Sequence, residues 1–132
     1  MPSRIYDTSA LMRFSNDEKG SEKVNMLLQE CMASGRKDKA SVLTAFEFLF
    51  SMARKSRKPA TGSLALLENI LDFVPTDYET AQRAAFLRLK YVHLNLSLAD
   101  AIILQTGIDS HLEIITCDRA WAQIKEAKVR VV

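Results

Sequence analysis

Short apolar runs that stop at a polar or acidic residue, each followed by a helical period, constrain this chain more than any other feature. Arg4-Ile5-Tyr6 ends at Asp7-Thr8-Ser9 and leads into Ala10-Leu11-Met12, the pattern of a strand turning into a helix. Between Lys19 and Ala33 the apolar positions Val24, Leu27, Leu28 and Cys31 fall at i, i+3, i+4 and i+7, one stripe of an amphipathic helix that Gly35 can stop. Ala40 to Leu43 predicts a second strand, and Thr44 opens a helix that runs to about Lys55, before Pro59. Leu64, Leu67 and Ile70 or Leu71 again keep a helical period, and Phe73-Val74 predicts a third strand. Thr76 to Tyr91 predicts a longer helix with Tyr78, Ala81, Ala85 and Leu89 on one side, and Ser97 to Ser110 another. A strand over Glu113 to Thr116, a short helix around Asp118 to Ile124 and an edge strand over Val129 to Val132 complete the pattern.

Strands that alternate with helices predict a three-layer α/β domain, its central sheet mainly parallel, with four or five strands. The 132 residues can bury one core. A division within RKSRKPATG, residues 54–62, would leave pieces too small for cores of their own, so residues 1–132 are expected to form a single domain. With 48% hydrophobic residues, 26% charged, and only 4 Gly and 3 Pro, collagen-like and disordered classes are excluded. Cys31 and Cys117 lack the CxxC or Cys-His spacing of a zinc site, and two distant cysteines do not make a disulfide scaffold, which fits a reducing cytoplasm. The start MPSRIYD is not a basic-then-apolar leader, and Asn95, Ser97 and Asp100 interrupt the longest apolar stretch, so a cytoplasmic protein with no membrane partner is expected.

Four acids fall at junctions between predicted elements. Asp7 closes the first strand, Asp118 follows Ile114-Ile115-Thr116, and Glu47 and Asp100 are expected in the first turns of helices. In an open parallel sheet, functional groups gather outside the carboxyl ends of the strands, where all four can meet. Their mutual repulsion then calls for a compensating cation, and an oxygen-only donor set favours Mg²⁺ or Mn²⁺ over zinc. Capping supplies a plainer account of part of the pattern. Thr44-x-x-Glu47, Ser97-x-x-Asp100 and Thr76-x-x-Glu79 all have the form of an N-terminal cap with an acid at N3. Capping does not explain why an acid interrupts the apolar run Leu98 to Leu104, where a carboxylate needs a partner.

Asp7-Thr8-Ser9-Ala10-Leu11, Glu47 within LTAFEFLF, Leu96-Ser97-Leu98-Ala99-Asp100-Ala101 and Thr116-Cys117-Asp118-Arg119 together resemble the ordered signatures of PIN-domain ribonucleases, most nearly the VapC toxins of toxin and antitoxin pairs. The resemblance runs from Ile5 to the terminal strand. It implies a PIN-like fold and a metal-dependent endoribonuclease in which Asp7, Glu47, Asp100 and Asp118 surround one or two Mg²⁺ or Mn²⁺ ions. Asp7 and Asp100 would be ligands, with Glu47 and Asp118 acting directly or through water, and Thr8, Ser9 and Thr116 supporting them. It further implies an RNA substrate such as a tRNA or rRNA loop, a homodimer and a small cognate antitoxin. A non-toxin PIN nuclease of RNA processing, or a catalytically silent RNA- or protein-binding module, is the alternative.

The net charge of +2, from 18 basic and 16 acidic residues, does not mark a nucleic-acid binder, but its distribution is uneven. Arg36, Lys37, Lys39, Arg54, Lys55, Arg57 and Lys58 are candidate RNA contacts, against the plainer reading of solvated helix ends. His93 and His111 form no ligand group, Trp121 is expected in the core, and some of Phe46, Phe48 and Phe50 are expected at a partner surface.

Overall fold

The computed structural model describes residues 3–55 and 58–132. Strands β1 (Arg4–Tyr6), β2 (Asp38–Ser41), β3 (Leu71–Val74), β4 (Glu113–Thr116) and β5 (Lys128–Val131) form one sheet in the order β3-β2-β1-β4-β5. All four pairings are parallel. Helices α1 (Thr8–Ser15), α2 (Ser21–Ala33), α3 (Val42–Lys55), α4 (Ala60–Ile70), α5 (Tyr78–Lys90) and α6 (Leu98–Asp109) connect the strands, with 3₁₀ turns at Val92–Leu94 and Arg119–Gln123. The expected three-layer α/β fold with a mainly parallel sheet is the observed one.

Register assigns the two faces. Tyr6 pairs with Ile115 and Ile5 with Ile114, and because successive strand side chains point oppositely, these pairs belong to different layers. Tyr6 and Ile115 join Leu11, Leu28, Phe48 and Leu67 from α1 to α4 in one core. Ile5 and Ile114 join Leu87 of α5, Ile103 of α6 and Trp121 in the other. The chain lays down β1, β2 and β3 in one direction, then returns to place β4 on the far side of β1. Right-handed crossovers accordingly put α1 to α4 on one face and α5 and α6 on the other. The reversal leaves a switch point between the carboxyl ends of β1 and β4, the place where such sheets bind ligands. Gly107 brings α6 down onto this sheet: a Cβ there would stand 2.5 Å from Ile114 Cγ1 and 3.2 Å from Ile5 Cγ2.

At the amino end of the sheet, buried Arg4 holds three elements together. Its Nη2 lies 3.0 Å from Glu30 on α2 and its Nε 3.4 Å from Glu113 on β4, while its backbone N–H donates to Asp38 Oδ1 on β2. Tyr6 donates its hydroxyl hydrogen to the other Asp38 oxygen at 2.9 Å. Buried acids here are thus paired, as burial requires.

Several boundaries differ from expectation for identifiable reasons. β2 is Asp38–Ser41 and α3 starts at Val42, two residues before the expected cap at Thr44, because Ser41 Oγ accepts from the Leu43 N–H. Glu47 consequently sits in the second turn of α3, and Thr44-x-x-Glu47 is no capping box. α5 is capped by Asp77, which accepts from Thr80 N–H at 2.8 Å, and Thr76 Oγ1 is buried without a partner. The stripe of Tyr78, Ala81, Ala85 and Leu89 faces outward, since the buried side of α5 is Thr80, Ala84 and Leu87. Trp121 is in the core as expected. Among the described residues no helix is long and apolar enough to cross a membrane.

Candidate active site

Asp7 follows β1 directly, and its N–H donates to Ile115 O at 2.8 Å, which continues the β1–β4 ladder to the switch point. The same residue opens α1, with Ala10 and Leu11 N–H groups donating to its carbonyl. Its carboxylate is buried and takes hydrogen bonds from Ser9 Oγ at 2.7 Å and Thr116 Oγ1 at 2.8 Å. Both reach Oδ2, so Oδ1 accepts none from the described residues. Burial pushes the Asp7 pKa up to about 6. The Ser9 and Thr116 hydroxyls oppose that shift, and the charges of Asp100 and Glu47 add to it.

Glu47 is half-buried on α3 and accepts from Thr8 Oγ1 at 2.6 Å. Thr8 Oγ1 also lies 3.1 Å from Thr44 Oγ1. A hydroxyl has one hydrogen, and a carboxylate accepts but does not donate. Thr8 therefore donates to Glu47, and Thr44 donates to Thr8. Fully buried Thr44, which the spacing to Glu47 predicts as a cap, instead meets the hydroxyl that serves Glu47. The signal available was its spacing, since Thr44, Phe48 and Met52 at i, i+4 and i+8 make the buried stripe of α3.

Asp100 occupies N3 of α6 in a complete capping box: Ser97 N–H donates to Asp100 Oδ2 and Asp100 N–H to Ser97 Oγ, both at 3.0 Å. Capping and a charge that bears on Asp7 hold together here. Asp118 is exposed, and its Oδ1 accepts from Ala120 N–H at 2.9 Å, capping the 3₁₀ turn after β4. Its own N–H donates to Thr116 Oγ1 at 3.1 Å, the hydroxyl that donates to Asp7. Ser9 Oγ likewise accepts from Cys117 N–H at 3.1 Å. Hydroxyls thus link the segments bearing Asp7 and Asp118. Among the described residues no three His, Cys, Asp or Glu side chains stand close enough together to hold a metal ion. The structure collects the acids around the switch point without drawing them into a closed ligand set.

The candidate RNA contacts separate. Arg36 and Lys37 precede β2 and lie toward the amino end of the sheet, with Lys37 4.0 Å from Asp72. Lys39 is central in β2, opposite Ile5. Arg36 and Lys37 are thus at the end away from Asp7, because the parallel strands all run toward the acids. Arg54 and Lys55 end α3, about 12 Å along the helix from Glu47 at 1.5 Å per residue. Lys58 pairs with Asp17 at 2.8 Å, next to the end of α1. Arg57 lies outside the described residues. His93 and His111 are exposed.

A sheet of order β3-β2-β1-β4-β5 with acids at its switch point is matched by a family model as well: the PIN domain model covers residues 5–127. The chain belongs to the PIN domain family. Solved structures similar to this PIN domain include VapBC2 from Rickettsia felis bound to a DNA fragment from its promoter, with a TM-score of 0.78 at 14% identity and 97% of each chain covered. A toxin-antitoxin complex from Klebsiella pneumoniae gives 0.73 at 23% identity, covering 98% of this chain and 97% of that one. DNA-bound VapBC from Salmonella typhimurium gives 0.70 at 19% identity, covering 99% and 98%. None of the curated proteins matches the sequence. At these identities the structures establish that the PIN fold extends over essentially the whole chain.

Proposed function

We propose that this PIN domain is a metal-dependent endoribonuclease of the VapC type that cleaves RNA phosphodiester bonds and is held inactive by a cognate antitoxin. The observation that carries the proposal is Asp7, a buried carboxylate at the switch point whose pKa is pushed up to about 6 in the presence of the Asp100 and Glu47 charges. Crowded negative charge in a poorly solvated place is complementary to a divalent cation. The donor set fits Mg²⁺ or Mn²⁺, since every candidate ligand is a carboxylate oxygen and Asp7 Oδ1 takes no hydrogen bond from the described residues. Asp7 and Asp100 would hold one or two such ions, with Glu47 and Asp118 contributing directly or through water. When bound, the metal supplies a better water nucleophile and neutralises charge on the phosphate.

The chain's own residues supply position. Ser9 and Thr116 fix Asp7 through Oδ2, Thr44 and Thr8 fix Glu47, and Ser97 fixes Asp100. Carboxylates carry no base information, so a tRNA or rRNA loop that fits the surrounding surface is the expected substrate. The similarity to a toxin-antitoxin complex from Klebsiella pneumoniae supports an antitoxin partner. An apolar groove between α5 and α6, lined by Leu89, Val92, Leu98 and Ile102, supports a homodimer.

Incubating the pure protein with tRNA and rRNA in Mg²⁺ or Mn²⁺ tests this reading. Cleavage should vanish with EDTA and in folded D7N and D100N. RNA that remains intact in both metals would refute the nuclease and leave a binding module.

A further inference from the structure

Helix α3 turns two opposite stripes outward and inward. Thr44, Phe48 and Met52 are buried, whereas Phe46 and Phe50, displaced by two residues and so by about 200° around the helix, are 71% and 52% exposed. Their rings are nearly parallel, 5° apart in orientation with centroids 6.0 Å apart. The Arg54 guanidinium lies 5.2 Å from the Phe50 centroid, extending the row by one more flat group. Phe46, Phe50 and Arg54 thus form a ladder at i, i+4 and i+8. It begins beside Glu47, with Phe50 and Arg54 at i+3 and i+7 from that acid and hence on a neighbouring line of the same helix.

Two large exposed aromatics stacked on each other and finished by a cation need an occupant that offers flat faces and negative charge. An unpaired stretch of RNA offers both: bases stack on aromatic rings and on guanidinium planes, and phosphates pair with the cations. Charge along the helix agrees, since Arg54 and Lys55 close α3 and Glu47, at the site itself, is its only acid. We propose that Phe46, Phe50 and Arg54 form a stacking subsite for unpaired bases of single-stranded RNA adjoining the phosphate held at Asp7. The subsite rests on the ribonuclease reading, because it assigns the bases next to the cleaved bond a place to lie. It supplies the contact that four carboxylates cannot, one that distinguishes an open loop from a duplex whose bases are already stacked.

Fluorescence anisotropy with a labelled single-stranded RNA decamer in EDTA measures binding without cleavage. Wild type, F46A, F50A, R54A and R54K should be compared on that RNA, on a decamer of the same length with abasic positions, and on a perfect duplex. Stacking predicts at least a fivefold rise in Kd for F46A and for F50A on the intact strand. Little further loss is expected on the abasic strand, which wild type should already bind weakly. R54A should lower the slope of log Kd against log salt by about one, and R54K should keep the slope while losing affinity. Because both rings are exposed, thermal melting should report unchanged folding. Kd values within twofold of wild type for F46A and F50A would overturn the subsite and give the ladder to a protein partner. So would an equal loss on intact and abasic strands. Base-dependent binding without cleavage in Mg²⁺ or Mn²⁺ would refute the nuclease and retain the subsite. Cleavage with unaltered binding by F46A and F50A would do the reverse.

Discussion

Thr116 and Asp7, 109 positions apart in the chain, are joined by one hydrogen bond of 2.8 Å from Oγ1 to Oδ2. The same hydroxyl oxygen accepts from Asp118 N–H, so one fully buried side chain ties the ends of β1 and β4 to the segment that carries the fourth acid.

Thr116→Val keeps the shape of this side chain and removes its donor and its acceptor. Leaving Asp118 N–H without this acceptor and Asp7 Oδ2 with Ser9 as its remaining donor should cost about 1–3 kcal/mol. Thr116→Ser should recover most of that, losing only a methyl group. Urea unfolding at pH 7 decides it: equal midpoints for the valine and serine variants would mean that the hydroxyl contributes nothing.

Asp7 gives a pH dependence of definite sign. Its pKa is about 6 in the fold, against about 3.9 for an unperturbed aspartate. The native state therefore holds this proton more tightly than the unfolded chain. The resulting contribution to stability is complete below pH 4 and is lost as pH rises through 6. In EDTA, wild type should lose on the order of 2–3 kcal/mol relative to Asp7→Asn between pH 4 and pH 7. The asparagine oxygen can still accept from Ser9 and Thr116. A stability difference that stays flat over this range would show that Asp7 is not held in its acid form by burial. Mn²⁺ added at pH 7 should raise the melting temperature of wild type more than that of the variant.

Thr44 reaches the Glu47 carboxylate through Thr8. Thr44→Val should leave the fold intact at a cost of about 1 kcal/mol, while freeing Thr8 and lowering RNA cleavage roughly tenfold, the scale of one lost positioning contact. Thr44→Ser should restore cleavage. Wild-type rates in the valine variant would remove Thr44 from the site.

Gly107 permits the close approach of α6 to β1 and β4. Gly107→Ala would drive a Cβ to 2.5 Å from Ile114 Cγ1, on a side chain with no exposed surface to move into. Overpacking of this kind should destabilise by about 1–3 kcal/mol. Because α6 carries Asp100, the variant should also lose activity at temperatures where it remains folded. A midpoint equal to wild type would show that the helix can shift at no cost.

Much of this was legible in the chain itself. β1 and β4 are where the apolar runs predict them, because Ile5, Tyr6, Ile114 and Ile115 fill the cores on the two faces of the sheet. The Ser97 and Asp100 capping box is a local interaction between neighbours in sequence, and it forms as the spacing predicts. The start of α3 was not legible. Thr44 has the residue type of a cap, but Ser41 reaches the Leu43 N–H first, and Thr44 is then drawn into the buried stripe to meet Thr8 on another element. Nor was the outward stripe of α5 legible: an apolar period identifies a helical face without saying what covers it.

The sequence by itself determined the alternation of strands and helices, the position of an acid at the end of β1 and another after β4, and the family to which they belong. These follow from local periodicity and the order of motifs, which survive without knowledge of distant contacts. Only the tertiary structure decided which hydroxyl serves which carboxylate, that Arg36 and Lys37 lie at the end of the sheet away from Asp7, and that Phe46 and Phe50 stand stacked in solvent. The Thr116–Asp7 bond depends on the reversal of strand order between β3 and β4, and the rest on how parallel β1 and β2 align and how α1 and α3 pack together. That reversal is set by how helices cover the two faces of the sheet, and no window of sequence contains both sides of it.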